Sequence, residues 1–264
     1  MLIPEAFLWS LAVVSVCFAV LWGISLVLRN ASIIDAFWGP AFAVIAGVIV
    51  WRAGLSGPRA VLLTGMVVLW ALRLGIYLGR RQFGHPEDLR YAAFRAADGE
   101  HFWWRSFFKV FQLQALLSWG LSLPMQAALL APSGTFPGIW DVAGGICFII
   151  GLLVETLADA QLAAFRRTRT GPDEVMDRGL WRYSRHPNYF GETLLWWGYG
   201  AVAMAATGSW WVWLGPAAMT FLLLQVSGVT LLESGLKARK PAYAAYVART
   251  SAFVPWFPKE GRGA

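Results

Sequence analysis

Apolar residues recur along the chain in seven long runs that short polar segments separate. A transmembrane helix needs roughly 20 mostly apolar residues to cross the hydrocarbon core of a bilayer. Each run approaches that length, so the pattern predicts seven transmembrane helices. The predicted spans are Phe7–Leu28, Ile33–Trp51, Ala60–Leu78, Phe107–Leu130, Ile139–Leu162, Tyr189–Ala206 and Trp210–Leu232.

The composition supports a membrane protein. Hydrophobic residues make up 58% of the 264 positions and charged residues 14%, whereas a soluble domain carries about 25% charged residues. The mean hydropathy is +0.54. A soluble fold of this size could not bury so much apolar surface. The predicted fold class is therefore an all-α integral membrane protein, with residues 1–264 forming a single membrane domain.

The basic residues predict the orientation of this domain. Of the 22 Lys and Arg residues, Arg52 and Arg59 fall on one side of the seven predicted spans, Arg73 lies within a span, and the remaining 19 fall on the other side. Because basic loops stay in the cytosol, the amino terminus is expected outside and the carboxyl terminus in the cytosol. We expect a multi-pass protein of a bacterial inner membrane. Its positive charge indicates contact with membrane lipids rather than with nucleic acid.

The segment Gly179–Glu192 carries the most informative motif. It joins a basic loop to the predicted sixth helix and contains the consecutive residues Arg185, His186, Pro187 and Asn188. Proline suits the first turn of a helix, where its missing N–H would have no partner. Free backbone N–H groups in that turn, beside basic side chains, favour binding of an anion. Sequence alone leaves open a merely capped helix.

This motif resembles that of the steroid 5α-reductase superfamily, in particular its bacterial branch of membrane proteins with a reductase-like carboxyl-terminal half. It is also similar to the membrane sterol reductases, and a shorter form occurs in isoprenylcysteine and phospholipid methyltransferases. The resemblance is strongest from Glu155 to Pro258. It implies a membrane fold that binds a nucleotide cofactor, with a cofactor-binding half at about 139–258 and substrate-side helices at about 7–95.

The resemblance implies that NADPH is the cofactor. Asp159 and Arg166 match an acidic residue and an arginine that bind NADPH in the reductases, Glu155 stands where those enzymes tend to have asparagine, and Asn188 and Glu192 match residues around the nicotinamide and ribose. The tail resembles a segment that closes over the cofactor. The implied cofactor-binding residues of this half are Glu155, Asp159, Arg166, Tyr183, Arg185, His186, Asn188, Tyr189, Glu192, Glu233, Tyr243 and Tyr246.

Two charges inside predicted spans point to a second site. Asp35 lies near the cytosolic start of the second helix and Arg73 lies in the third. An ionisable group at membrane depth is usually paired or functional. Either Asp35 and Arg73 form a buried ion pair, or Asp35 faces an apolar pocket and protonates a substrate carbonyl. In the steroid reductases an acid and a tyrosine hold that carbonyl. Asp35 matches the acid, and Tyr77 and Tyr91 are the candidate phenols.

The loop Arg80–Tyr91 mixes arginines with acidic and aromatic residues just inside the predicted membrane. Because a guanidinium can bind two phosphate oxygens at once, we expect Arg81 and Arg90, together with Arg73, to contact NADPH. Asp88 is also expected in this cofactor-binding set, where it would orient Arg90 or cap a short helix. The alternative is a solvated loop that only sets the topology.

The predicted function is the NADPH-dependent reduction of a lipophilic α,β-unsaturated carbonyl compound, steroid-like or isoprenoid-like, that enters from the bilayer. No Cys/His set has the spacing of a metal site, and no P-loop or Gly-x-Gly-x-x-Gly motif is present, so we expect no metal and no Rossmann domain. One alternative is a methyltransferase that uses S-adenosylmethionine to modify a lipid or a prenylcysteine. Another is a transporter or lipid-binding membrane protein without enzymatic activity.

Overall fold

The chain is mainly helical, as the sequence predicts. The computed structural model has no strand among the residues that it describes, and Ser184 and Ser251 form an isolated parallel bridge. The described residues are 3–55, 57–132, 134–171, 173–226, 228–229, 233 and 243–259.

The chain forms two compact units. The boundary at Ile139 falls where the predicted cofactor-binding half begins, although the roles of the two halves stay predictions. Unit 1 comprises Met1–Gly138 and Val202–Val212, and unit 2 comprises Ile139–Ala201 and Trp213–Ala264.

Unit 1 is built on long helices that follow the first four apolar runs. Its main elements are α1 (Ile3–Leu28), α2 (Ile33–Ala53), α3 (Pro58–Gln82), α4 (Leu89–Asp98), α5 (Phe102–Ser106), a π-helical segment (Phe107–Gln112) and α6 (Leu113–Leu130). Helix α2 packs against α1, α3 and α6. Its buried side chains, including Phe42, Ile45 and Ile49, are apolar, so α2 forms the centre of the bundle and carries Asp35 in its first turn.

Unit 2 contains the motif of residues 179–192. Its elements are α7 (Ile139–Thr168), a 3-10 turn (Gly179–Arg182), α8 (Pro187–Thr207, which continues into unit 1), α9 (Leu214–Phe221), a π-helical segment (Leu222–Val226) and α10 (Tyr243–Arg249). Helix α8 begins at Pro187, as predicted, because proline has no N–H to leave unpaired there. The basic loop therefore ends where the helix starts, and Asn188 lies in its first turn.

Several helices have the length and composition of membrane spans. Among the described residues, five helices qualify. The sixth predicted span lies in α8, which does not meet this criterion, and the described part of the seventh forms a shorter apolar helix at Trp210–Val226. Residues 227 and 230–232 of the seventh span lie outside the described residues. A multi-pass membrane protein is thus supported, while the count of seven and the sides of the termini stay predictions.

Candidate functional site

A group of polar side chains in unit 1 surrounds the carboxylate of Asp35. Tyr91 donates its phenolic O–H to Oδ1 at 2.6 Å, Arg90 donates to Oδ2 at 2.8 Å, and the side-chain amide of Gln82 donates to Oδ2 at 3.2 Å. Gln114 donates to the phenolic oxygen of Tyr91 at 3.4 Å. We call these five residues the Asp35 cluster. The carboxylate therefore accepts hydrogen bonds from a phenol, a guanidinium and an amide, and the second amide, of Gln114, contacts the phenol.

The start of α4 is tied to the start of α2 by two hydrogen bonds. The carboxylate of Glu87 accepts from the N–H of Ala31 at 2.7 Å, and the N–H of Asp88 donates to the hydroxyl of Ser32 at 2.7 Å. Because Asp35 lies in the first turn of α2, these bonds bring the first turn of α4 to its carboxylate.

The structure shows which of the candidate residues contact Asp35. Its ion pair forms with Arg90, so the suggested pair with Arg73 is wrong. Of the two candidate phenols, Tyr91, in α4, is the one that contacts Asp35. Arg73 instead lies over the ring of Tyr77 at 5.3 Å from the centroid. Asp35 is thus half-buried among polar partners and does not face an apolar pocket. The physical reason is the position of the short helix α4, whose first turn carries both Arg90 and Tyr91.

Asp88 both caps α4 and holds Arg90, as predicted. Its carboxylate accepts from the backbone N–H and from Nε of Arg90, each at 2.9 Å. Partial burial alone would raise the pKa of the Asp88 carboxyl, but these hydrogen bonds and the charges of Arg90 and of exposed Arg81 bring the pKa below its ordinary value. Contact of either arginine with NADPH stays a prediction.

Two glutamines of the Asp35 cluster, Gln82 and Gln114, were not among the candidates that the sequence suggested. Gln114 lies in α6, two positions after Gln112, and a polar side chain at membrane depth is a signal of function or pairing. Gln82 ends α3 beside the exposed arginines of the same turn. Nothing in the sequence distinguishes Gln82 from these neighbours as a residue that would contact Asp35.

In unit 2, α7 and α8 approach each other at glycines. A Cβ atom on Gly191 would lie 2.5 Å from the backbone nitrogen of Glu155 and 2.7 Å from the carbonyl oxygen of Gly151, and one on Gly198 would lie 2.7 Å from the carbonyl oxygen of Gly144. Small residues permit this approach between membrane helices. Gly144 and Gly151 are seven residues apart, as are Gly191 and Gly198, and this repeated spacing is visible in the sequence.

This close packing gathers buried polar groups from both helices. Glu155 and Asp159, one turn apart on α7, are 2% and 3% exposed, and Glu192 on α8 is 8% exposed. The amide nitrogen of Asn188 donates to Asp159 Oδ1 at 3.2 Å. Its amide oxygen is buried and has no hydrogen-bond partner among the described residues. We call these four residues the Asn188 cluster. It offers acceptor oxygens to a ligand that carries hydroxyl or amide donors.

Arg185 connects the segment before α8 to α10. Its Nε donates to Glu233 Oε1 at 2.7 Å, and its Nη1 donates to the carbonyl oxygens of Thr250 at 2.6 Å and Val247 at 3.2 Å. The backbone N–H of Arg185 donates to the carbonyl of Ser251 at 2.8 Å. The guanidinium therefore satisfies main-chain groups at the end of α10.

Hydroxyl groups strengthen the same connection. The phenol of Tyr246 donates to the carbonyl oxygen of Trp181 and to that of Ser184, the latter at 3.3 Å. The hydroxyl of Ser184 donates to the carbonyl of Phe253 at 2.7 Å. We name this group the Arg185 clamp and define it as Ser184, Arg185, Glu233 and Tyr246.

His186 lies beside the clamp. Its ring stacks on that of Tyr189, with centroids 5.7 Å apart, and its Nε2 lies 3.4 Å from Glu233 Oε1. Burial lowers the pKa of His186 to about 4; the carboxylate of Glu233 opposes this shift and the charge of Arg185 adds to it. The imidazole is therefore neutral at neutral pH, and it does not contribute the positive charge that the motif suggests.

The remaining candidates of unit 2 differ in exposure. Arg166 is exposed in the last turn of α7. Tyr183 is exposed, and its ring contacts Phe257 edge-on. Tyr243 is buried; burial, followed by the charge of Glu233, raises the pKa of its phenol to about 12. Contact of these residues with a cofactor stays a prediction.

Comparisons with known proteins give a family and two relatives. The family model described as "Protein of unknown function (DUF1295)" matches residues 21–250. An uncharacterised protein of Schizosaccharomyces pombe is 26% identical over 272 residues, which cover 89% of this chain and 76% of that protein. The steroid 5-alpha-reductase DET2 of Gossypium hirsutum is 30% identical over 74 residues, which cover 28% of this chain and 26% of that reductase. No solved structure matches the chain.

The similarity to DET2 supports, in its coarse form, the relation to steroid reductases that the motif indicates. The bacterial branch stays a prediction. Within the part of the chain that the structure describes, no group of three or more His, Cys, Asp and Glu side chains could hold a metal ion.

Proposed function

We propose that this chain, which belongs to the DUF1295 family, is an NADPH-dependent reductase of a lipophilic α,β-unsaturated carbonyl compound, steroid-like or isoprenoid-like. The observation that carries the proposal is the 2.6 Å hydrogen bond between Tyr91 and Asp35. An acid and a phenol held together can stabilise and protonate an enolate. The short similarity to a steroid 5-alpha-reductase supports the same class of reaction.

The reaction would join one enone, one NADPH and one proton to give a saturated ketone and NADP⁺. Bound NADPH would supply the hydride that reaches the β-carbon. Negative charge then develops on the carbonyl oxygen, and Tyr91 would turn its O–H from Asp35 towards that oxygen. The proton that reaches the α-carbon would come from the Asp35–Tyr91 pair, which regains it from water. Arg90, 2.8 Å from Asp35, would keep the carboxylate oriented during this exchange.

The proposed substrate is lipophilic because the helices of unit 1 present apolar side chains at their surface. On α3, Leu69, Leu72 and Ile76 are 53%, 57% and 53% exposed. Apolar exposure of this kind on a membrane helix is contact with lipid. A substrate dissolved in the bilayer could therefore reach the unit without crossing water.

The Asn188 cluster supports a cofactor of the nicotinamide type. The unpaired amide oxygen of Asn188 could accept from the carboxamide of the nicotinamide, and the carboxylates of Asp159 and Glu192 could accept from ribose hydroxyls. Arg166, exposed at the end of α7, could bind a phosphate. S-adenosylmethionine also carries ribose hydroxyls, so the rival methyltransferase function must be tested directly.

The test compares both cofactors on one set of purified variants. We expect wild type to bind NADPH more tightly than S-adenosylmethionine, measured by NADPH fluorescence and by competition. Asn188→Ala should weaken NADPH binding roughly ten- to a hundredfold, because it removes hydrogen bonds to the ligand. Thr156→Ala is the matched control, since that exposed hydroxyl bonds only to its own helix, at Leu152.

Two outcomes would contradict the proposal. Tighter binding of S-adenosylmethionine by wild type, with equal NADPH binding by Asn188→Ala and Thr156→Ala, would favour the methyltransferase. Absence of binding of either cofactor by a folded protein would favour the transporter or lipid-binding alternative.

A further inference from the structure

The carboxyl-terminal segment of unit 2 forms a loop whose ends meet. The backbone N–H of Lys259 donates to the carbonyl of Arg249 at 2.9 Å, and this hydrogen bond joins the two ends of the loop of residues 249–259. A cavity of about 380 Å³ lies beside this loop. Thr250, Ser251 and Trp256 are among the residues that line it. None of the four residues of the Asn188 cluster lines this cavity.

Three polar side chains that line the cavity have no hydrogen-bond partner among the described residues. The side chain of Thr250 is only 4% exposed, yet its hydroxyl has no hydrogen-bond partner among the described residues, and the same holds for the hydroxyl of Ser251 and the ammonium of Lys259. Buried polar groups in folded proteins are normally hydrogen-bonded. The nearly buried hydroxyl of Thr250 therefore indicates a ligand with acceptor oxygens, and the half-buried Ser251 and the exposed Lys259 line the same cavity.

The charges of the lining side chains indicate which kind of anion would fit the cavity. The two lining guanidiniums are already paired with carboxylates, Arg249 with Asp177 and Arg185 with Glu233. Within the described part of the chain, Lys259 is thus the one lining cation without a counter-ion. A single uncompensated positive charge matches a singly charged phosphodiester better than a doubly charged phosphate monoester.

Apolar side chains stand beside these polar groups. Val254, Trp256 and Phe257 are 56%, 70% and 76% exposed, and the last two line the cavity. Tryptophan and phenylalanine beside a lysine are typical of segments that lie at a membrane interface. A ligand with a phosphodiester head and a hydrocarbon body fits both halves of this surface.

We propose that the loop of residues 249–259 binds the phosphodiester of an anionic phospholipid. Lys259 and the hydroxyls of Thr250 and Ser251 hold the phosphate oxygens, while Trp256 and Phe257 contact the acyl chains. The bound lipid fastens the end of unit 2 to the bilayer. This inference does not depend on the proposed reductase activity.

The test is a lipid titration of the full-length protein in non-ionic detergent, followed by native mass spectrometry. Phosphatidylglycerol should bind more tightly than phosphatidylcholine, whose head group carries an opposing positive charge. Lys259→Gln should weaken binding of phosphatidylglycerol about tenfold, and Thr250→Val should also weaken it although it changes no charge. Arg178→Gln is the matched control, because that side chain is 72% exposed in the same unit and lies outside the cavity.

Several results would overturn the inference. Equal losses in Lys259→Gln and Arg178→Gln, or full binding by Thr250→Val, would mean that lipid is attracted by the general surface charge. Displacement of the lipid by inorganic phosphate or by NADPH would give the cavity to a soluble ligand. If Thr250→Val fails to fold, Ser251→Ala, at a half-buried hydroxyl, takes its place with the same expected loss.

Discussion

The Asp35 cluster and the Arg185 clamp are both built on a pair of carboxylate and guanidinium, yet their other hydrogen bonds differ. Among the described residues, every partner of the Asp35 carboxylate is another side chain. The guanidinium of Arg185 also bonds to the main-chain carbonyls of Val247 and Thr250. Side-chain partners can exchange when a ligand enters, whereas main-chain partners hold segments in place. We therefore expect the first group to govern turnover and the second to govern stability.

The two ion pairs also differ in how much of their side chains is exposed to solvent. The side chains of Arg90 and Asp35 are 41% and 18% exposed, whereas those of Arg185 and Glu233 are 9% and 11% exposed. A solvent-exposed pair contributes about 0–1 kcal/mol to stability. Removing one partner of a buried pair costs about 3–5 kcal/mol, because the other charge is left buried and alone.

The largest expected effect is on turnover in the Asp35 cluster. Asp35→Asn and Tyr91→Phe should each lower the turnover number roughly 10²–10⁴-fold, the usual weight of general acid–base catalysis, while NADPH affinity stays that of wild type. The double variant should be little worse than either single one, because the two groups act together. Steady-state NADPH oxidation with enone substrates measures this.

Asp98→Asn is the control for that experiment. Asp98 is another carboxylate of unit 1, paired with Arg105 and Lys109 outside the cluster, so the variant should keep its turnover. Full activity in a stable Asp35→Asn protein would remove Asp35 from the reaction.

The second expected effect is on the stability of the Arg185 clamp. Arg185→Met should lower the free energy of unfolding by about 3–5 kcal/mol, because the buried carboxylate of Glu233 loses the guanidinium that neutralises it. Glu233→Gln in the same chain should restore part of the loss, since it removes that charge. Denaturant unfolding in detergent micelles measures both. A loss of less than about 1 kcal/mol, the range of exposed pairs, would contradict the comparison.

The third expected effect is a dependence on pH. His186 has a pKa of about 4 in the folded protein instead of its ordinary 6.5, so between these values the unfolded chain binds a proton that the folded chain does not. The free energy of unfolding should therefore fall as the pH is lowered from 6.5 towards 4. This slope should be shallower in His186→Gln than in wild type. His101→Gln, at an exposed histidine, should keep the slope of wild type; if both variants behave alike, His186 is not the source.

The smallest expected effect concerns a single hydroxyl of the clamp. Tyr246→Phe keeps the ring but removes the donor to the carbonyls of Trp181 and Ser184, which should cost about 1 kcal/mol. Thermal unfolding in detergent measures the shift. Tyr183→Phe removes an exposed phenol and should leave the midpoint unchanged; equal shifts in the two variants would refute the role of Tyr246.

Local rules predicted single positions well. Pro187 begins α8 and Asp88 caps α4 and holds Arg90, because each effect involves residues only a few positions apart. The ion pair of Asp35 with Arg73, one of the two alternatives that the sequence left open, is wrong, since Arg90 takes that place and its position depends on where α4 lies. The bonds of Glu87 and Asp88 to residues before α2 decide that, and they join positions 56 apart in the chain.

The sequence by itself determined that the chain is a helical membrane protein with a motif similar to that of the steroid reductases. Whether a segment lies in lipid or in water depends mainly on its own apolar and basic residues, so it can be predicted without knowing the tertiary structure. Only the tertiary structure decided which phenol meets Asp35, that Arg185 holds main-chain carbonyls, and that glycines 191 and 198 let α7 and α8 approach closely. These contacts depend on distances between helices, which residue types and their spacing do not specify.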